Sequence, residues 1–325
     1  MSTDSIPAMD PDTEVDFDFS PFLIRYKSGR VHRLMGTSTA AAGTDAATGV
    51  TSKDVVIDAD TGLAARLFLP AGVPTREKLP VVVYFHGGGF VVHSAFSAVH
   101  SGFLNALVAA AGVVAVSVDY RLSPEHPIPA AYDDAWAALR WASSCTEPWL
   151  EEHGDAARLF VAGDSAGANI AHNVTMRAGK HGGLPIAGMV LLHPFFRGGE
   201  LVPSEGTDAA LLRRAARAWG FMCAGRFGID HPFINPLATP AAEWAELGCR
   251  RVLVTVAELD TMRDQARGYV AALRGSAWGG EEAAMYETAG EGHVYFLEDA
   301  GAGGDKAAAE ADAVVSFIKR CSAAA

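Results

Sequence analysis

From residue 51 onward two hydrophobic patterns take turns along the chain. Short runs that are apolar throughout, such as LPVVVYF before His86 and LFVAG ending at Gly163, alternate with longer helix-like stretches. Continuous apolar runs of this length suit strands buried on both faces of a sheet. DVVIDA and LAARLFLP, joined by DTG, read as a hairpin. LPVVVYF follows, then a helix over about 95–111. VVAVSVDYR, the helix PAAYDDAWAALRWAS, LFVAG, a helix after Ser165 and GMVLLHP continue the series. A looser segment, 197–247, precedes RVLVTVAELD, the helix RDQARGYVAALR, AMYETAG and a last helix over about 305–321. Residues 1 to about 50 read as irregular and end in the small-residue stretch GTSTAAAGTDAATGV. The alternation predicts an α/β fold with a mostly parallel sheet covered on both faces. In such sheets the chemistry gathers at the carboxyl ends of the strands.

The stretch Gly163-Asp164-Ser165-Ala166-Gly167 lies where an apolar run gives way to a helix-like run. It fits G-x-S-x-G in the strand–turn–helix context that lifts a serine clear of a sheet. Glycines on both sides are expected because bulky neighbours would clash in so tight a turn. A serine hydroxyl needs a base, a group that orients the base, and donors for the oxyanion it creates. HGGGF, His86 to Phe90, follows an apolar strand and would bring backbone N–H groups close to a ligand. In this it resembles the motif that accompanies the serine elbow in lipases and esterases; no G-K-[ST] follows to make it a phosphate loop.

The order expected after the serine is acid, then histidine. His172 falls two turns into the elbow helix and reads as packed or capping. His181 sits in a Gly-rich loop, and His193 and His231 read as structural. His293, in AGEGHVYF after the last strand, is where a base belongs. For the acid, Asp260 at the end of VLVTVAELD is favoured by position over Glu258, Asp264 and Asp230, against the alternative that it caps the next helix. An imidazole base implies activity that falls toward acid near an ordinary pKa of about 6.5.

Composition narrows the function further. The chain has 325 residues, 50% of them hydrophobic, enough for a large core. A net charge of -12 with no basic patch argues against nucleic acid. The four cysteines are scattered, with no C-x-x-C pair, and are expected to be reduced. No H-x-x-x-H or Cys/His cluster suggests a metal, and no cofactor is expected. The N-terminus is acidic and lacks the apolar core of a signal peptide, and LVAAAGVVAVSV is too short to span a bilayer. These features point away from the membrane and toward the cytoplasm, with the nucleus as a further compartment.

Taken as a set, YFHGGGF, DYRLSPEHPIPAAYDD, VAGDSAGANIAH, DHPFINP, AELD and GHVYF resemble the hormone-sensitive-lipase-like branch of the α/β hydrolases. More closely, the chain resembles plant carboxylesterases, the group that also holds the gibberellin receptors. FSPFLIRYKSGRVHRL and GVTSKDVVID extend the likeness to nearly the whole chain. The resemblance implies one α/β-hydrolase domain over 1–325, with 1–50 and about 197–230 as a lid over the pocket. It implies Ser165, Asp260 and His293 as a triad and the N–H groups of Gly88, Gly89 and Ala166 as an oxyanion hole. The implied activity is hydrolysis of small carboxylic esters through an acyl-enzyme. Two alternatives come from the same group: a ligand-binding receptor, and a dehydratase or specialised-metabolite ester hydrolase. Receptors of the group lack the histidine, whereas His293 is present; the dehydratases commonly carry threonine where this chain has Ser165. Ser123 stands where the family often has alanine, and His126 beside it reads as structural.

Overall fold

A computed structural model of the protein describes residues 12–75, 77–297 and 304–323. Three short strands come first: β1 (Val15–Phe19), β2 (Leu23–Tyr26) and β3 (Val31–Arg33), an antiparallel sheet of their own. The central sheet has eight strands. They are β4 (Thr51–Asp58), β5 (Leu63–Leu69), β6 (Leu79–Phe85), β7 (Val114–Asp119), β8 (Gly154–Asp164), β9 (Ile186–Leu192), β10 (Arg251–Ala257) and β11 (Glu282–Thr288). Their order across the sheet is β11-β10-β9-β8-β6-β7-β5-β4. The expected hairpin is the antiparallel pair β4–β5; β5 also meets β7 antiparallel, and the remaining six strands run parallel.

Period-two alternation along the buried strands feeds two cores. Val81, Val83 and Phe85 of β6 pack with α2 (Ala130–Ser144), α4 (Ala166–His181) and α6 (Arg263–Gly275), through residues such as Leu139, Val174 and Tyr269. Val82 and Tyr84 face the other way, toward Leu104 of α1 (Ala98–Ala111) and Phe317 of α7 (Gly304–Ala323). Apolar residues on both sides of each strand are what produced the unbroken runs in the sequence. Helix α1 stops at Gly112, whose left-handed backbone (φ 67°) closes the last turn on the Val108 carbonyl.

Two expectations need correction. Residues 15–33 are not irregular but form the small sheet, and the looser segment 197–247 contains a four-turn helix, α5 (Ala209–Met222). Both were hidden for the same reason. The strands carry Asp16, Asp18, Arg25 and Arg33 and show no clean alternation, and only Trp219, Phe221 and Met222 of α5 are buried. Each is stabilised by the other: Phe17 stacks on Phe221 of α5 at 4.0 Å, with Arg217 over the Phe17 ring. Arg33 then ties β3 to the loop after β6 by donating to the Val91 carbonyl at 2.7 Å, and to the loop after β7 by donating to Glu125. Residues 1–11 of the expected lid lie outside the described residues. A short helix, α3 (Pro148–His153), had no clear sequence signal beyond Glu147, whose carboxylate accepts the Trp149 and Leu150 N–H groups at its start.

The tightest packing in the sheet lies between β6 and the turn after β8. A Cβ on Gly163 would come within 2.7 Å of the Phe85 carbonyl oxygen, and a Cβ on Gly167 would overlap that oxygen outright. Neither glycine has a positive φ, so close approach of backbones is the reason for both. Gly167→Ala is therefore expected to destabilise the protein by about 3 kcal/mol. Gly220→Ala, in the last turn of α5 with nothing within 4 Å, should instead stabilise slightly, by about 0.5 kcal/mol. Urea unfolding of both variants checks this; equal midpoints for the two would contradict the packing argument.

Candidate active site

Four parallel strands, β6, β8, β10 and β11, end at one edge of the sheet and deliver the candidate residues there. Ser165 sits between β8 and α4 with φ 51° and ψ -115°, a backbone conformation that a non-glycine residue adopts only when its surroundings impose it. Its N–H donates to the Leu192 carbonyl at 2.9 Å, and its own carbonyl accepts the N–H groups of Asn169 and Phe195. The strained turn is thereby fixed from three sides.

His293 reaches Ser165 from the loop after β11. Its Nε2 lies 2.8 Å from the Ser165 Oγ, and its Nδ1 lies 2.6 Å from Asp260 Oδ2. The other Asp260 oxygen accepts the Met262 N–H at 2.9 Å. Burial pushes the Asp260 carboxyl up. The hydrogen bond and charge of His293 outweigh it, with help from the Met262 N–H and the charge of His193, and hold it below the ordinary value. Asp260 therefore stays a carboxylate near neutral pH, which fixes the tautomer: Nδ1–H donates to Asp260 and Nε2 accepts the serine proton.

The rivals go elsewhere. Glu258 is exposed and accepts the Gly290 N–H at 2.8 Å. Asp264 lies in the first turn of α6 and holds the Ser204 N–H, and Asp230 holds the Gly199 N–H. Asp260 accepts an N–H two residues on and so also does part of the capping work once weighed against it, but α6 begins only at Arg263. His172 is packed against Tyr269 and pushed down to about 3 by burial; His181 ends α4, exposed; His231 accepts the Phe233 N–H.

HGGGF forms the facing wall. Gly88 (φ 105°) and Gly89 (φ 58°) line the same cavity as Ser165 and His293, and their N–H groups donate to no acceptor among the described residues. Ala166, the first residue of α4, is buried. The wall is held from behind by Asp164: its Oδ1 accepts the Gly87 N–H at 2.9 Å and the Tyr84 hydroxyl at 2.6 Å. Burial would raise that carboxyl, but the charge of His100 and the hydrogen bonds around it lower it to about 2. Tyr120 fixes the next carbonyl, His86 O, at 2.7 Å. The cavity measures about 610 Å³, and Phe22, Met35, Val99, Phe195, Met262 and Leu297 make it mostly apolar.

Sequence reading treated His193 only as structural and missed Glu310 altogether. His193 is buried beside Asp260, with Nδ1 accepting the N–H of Val294, the residue after His293, at 2.9 Å. Its Nε2–H donates to Glu310 Oε1 at 3.1 Å, and the other Glu310 oxygen accepts the Tyr295 hydroxyl at 2.8 Å. A signal was available: Glu310 falls on the apolar stripe of α7 with Val314, Phe317 and Cys321, and an unpaired charge is not tolerated there. Ser123 was likewise underread; its hydroxyl donates to the Met222 carbonyl at 2.8 Å and ties α5 down.

A family model described as alpha/beta hydrolase fold matches residues 82–297. The chain is 45% identical over 307 residues to a probable carboxylesterase 13 of Arabidopsis thaliana, covering 89% of this chain and 93% of the relative. It is 43% identical to tuliposide A-converting enzyme 2, chloroplastic, of Tulipa gesneriana (95% and 80% covered). It is also 43% identical to 2-hydroxyisoflavanone dehydratase of Glycyrrhiza echinata (87% and 90%). Among solved structures, an esterase of Pyrobaculum calidifontis superposes with a TM-score of 0.69 at 27% identity, covering 83% of this chain and 85% of that one. Sheet order, elbow and cavity are those of an α/β hydrolase of the carboxylesterase kind. The chain belongs to the plant carboxylesterase family.

The His193–Glu310 pair yields a test of how the His293 loop is held. Glu310→Gln keeps the shape and removes the charge that His193 leans on. It is expected to lower kcat about tenfold with little change in KM, because it loosens the loop rather than the substrate cavity. Steady-state ester hydrolysis measures the split; a change confined to KM would contradict it.

Proposed function

We propose that the protein is a serine carboxylesterase that cleaves small uncharged esters through an acyl-enzyme. The observation that carries this is the unbroken hydrogen-bond chain from Ser165 Oγ through His293 to Asp260 at 2.8 and 2.6 Å. In this reading His293 Nε2 takes the Ser165 proton as Oγ attacks the ester carbonyl. The N–H groups of Gly88, Gly89 and Ala166 stabilise the oxyanion. The proton then passes to the departing alcohol, and water repeats the sequence to release the acid. Asp260, buried and ionised, holds the imidazole and balances its charge while the proton is on it.

The cavity supports the substrate class. About 610 Å³ fits a small organic ester, and no Lys or Arg lines the wall to attract an anion. The receptor alternative is disfavoured by a histidine in hydrogen-bonding contact with the serine, and the dehydratase alternative by a serine where threonine is usual. The whole chain is read as one domain. The small sheet β1–β3 with α5 forms the lid, which Phe22 and Met35 support by lining the cavity from the N-terminal side. No helix among the described residues is long and apolar enough to cross a membrane. The four free cysteines, three of them buried, suit a reducing compartment such as the cytoplasm; the tulip relative carries a plastid label.

Ser165→Ala is expected to lower kcat for 4-nitrophenyl butyrate by several orders of magnitude, and Asp260→Asn by about 10⁴. Glu258→Gln should stay close to the parent. Near-parental turnover by Ser165→Ala would remove the acyl-enzyme, and a harmless Asp260→Asn beside a crippled Glu258→Gln would move the acid. For the lid, Phe22→Ala should raise KM for bulky esters more than for acetate esters, by about 5- to 10-fold, because it strips apolar contact from the cavity. Equal KM changes across ester sizes would take the lid role from this segment.

A further inference from the structure

Beside the wall formed by Gly88 and Gly89, the cavity holds polar groups that the proposed reaction does not use. His93 lies three residues past HGGGF with φ 69°, a left-handed conformation for a side chain that is not glycine. Two glycines make room for its ring. A Cβ on Gly88 would come within 2.8 Å of His93 Cδ2, and a Cβ on Gly36 within 3.1 Å of His93 Nδ1. The imidazole is thus wedged between Gly36 and Gly88. His100 stands edge-on to it, with ring centroids 5.1 Å apart at 80°. Both histidines line the cavity with Ser165 and His293.

The ring edge of His93 that carries Cδ2 and Nε2 lies beside Gly88, and Nε2 is neither buried nor hydrogen-bonded among the described residues. His93 Nδ1 is buried without a hydrogen bond. Neither nitrogen of His100, which is 1% exposed, makes one; Nε2 lies 3.3 Å from Asp164 Oδ1 but without hydrogen-bond geometry. Burial, and then the nearby charge of His100, push His93 down to about 4, so its imidazole is neutral under ordinary conditions. A neutral imidazole offers one donor and one acceptor, and its tautomer adjusts to its partner. In so apolar a cavity a bound molecule that pairs His93 Nε2 gains a hydrogen bond that an apolar molecule in the same place forgoes. The partner that matches either tautomer is a hydroxyl, which both donates and accepts.

We propose that His93, backed by His100, is a hydrogen-bonding subsite that selects esters carrying a hydroxyl group close to the scissile carbonyl. The subsite adjoins Gly88, so the hydroxyl must lie near the carbonyl rather than at the far end of a long chain. This inference rests on the esterase reading and deepens it.

The test uses isosteric esters that differ by a hydroxyl against a methyl, with the purified full chain and a pH-stat. One pair, 2-hydroxyethyl butyrate and propyl butyrate, places the hydroxyl on the alcohol side. The other, ethyl 3-hydroxybutyrate and ethyl 3-methylbutyrate, places it on the acyl side. In at least one pair kcat/KM should favour the hydroxylated ester, and His93→Phe should cut that ratio about tenfold. Comparing ratios between parent and variant removes the intrinsic reactivity of the esters. His93→Asn keeps a donor and an acceptor and tolerates the left-handed backbone, so it should retain part of the preference. His93→Ala serves as the loss variant if His93→Phe does not fold. A ratio unchanged by loss of the imidazole in both pairs, or no preference in the parent, overturns the subsite and leaves the esterase reading standing. If the parent turns over none of the four esters or 4-nitrophenyl butyrate, the esterase reading itself falls and the subsite with it.

Discussion

The contact on which the site depends is the approach of the β8–α4 turn to the end of β6. Gly163 and Gly167 let two backbones meet closer than any Cβ would allow, with the Phe85 carbonyl between them. That contact sets where Ser165 stands relative to the glycines after His86. Asp164 then bridges the two segments from inside, holding Gly87 N–H and Tyr84 with one oxygen. Side chain and backbone together lock the serine turn and the glycines after His86 into one piece.

His293 comes from the far side of the sheet and needs its own support. β10 and β11 bring Asp260 and His293 to the same edge, but a loop alone would leave the imidazole free to wander. Val294, with φ 49°, is held by His193, and His193 by Glu310 on α7. A buried charge is costly unless paired, and this one is paired with His193 and satisfied by Tyr295. The cost of burying it is offset by a fixed path from the last helix to the residue after His293.

The N-terminal segment adds what the central sheet cannot, the apolar side chains of Phe22 and Met35 on the cavity wall. Its strands are too short and too charged to persist alone. Phe17 on Phe221, Arg33 on the Val91 carbonyl and Ser123 on the Met222 carbonyl fasten the sheet to α5 and to the loop after β6, and α5 to the loop after β7. The loop after β6 also carries His93, so the small sheet and this part of the cavity wall are tied together.

Where local pattern and final environment coincide, the sequence was enough. The buried strands read as apolar runs because both their faces are covered. The serine turn was legible because its glycines are immediate neighbours, and the order of serine, acid and histidine narrowed the other two positions. Three things were decided only by tertiary contact. Asp260 rather than Glu258 meets His293 because the end of β10 turns one carboxylate inward and leaves the other in solvent. Residues 15–33 and 209–222 become strands and helix by packing on each other, which no local periodicity announces. Of the two glycines beside Ser165, Gly163 answers first to the backbone of Gly167 across the turn, as the sequence suggested, and both answer to the carbonyl of a strand some eighty residues earlier. Sequence shows that a residue is small; only the fold shows what stands where its side chain would have been.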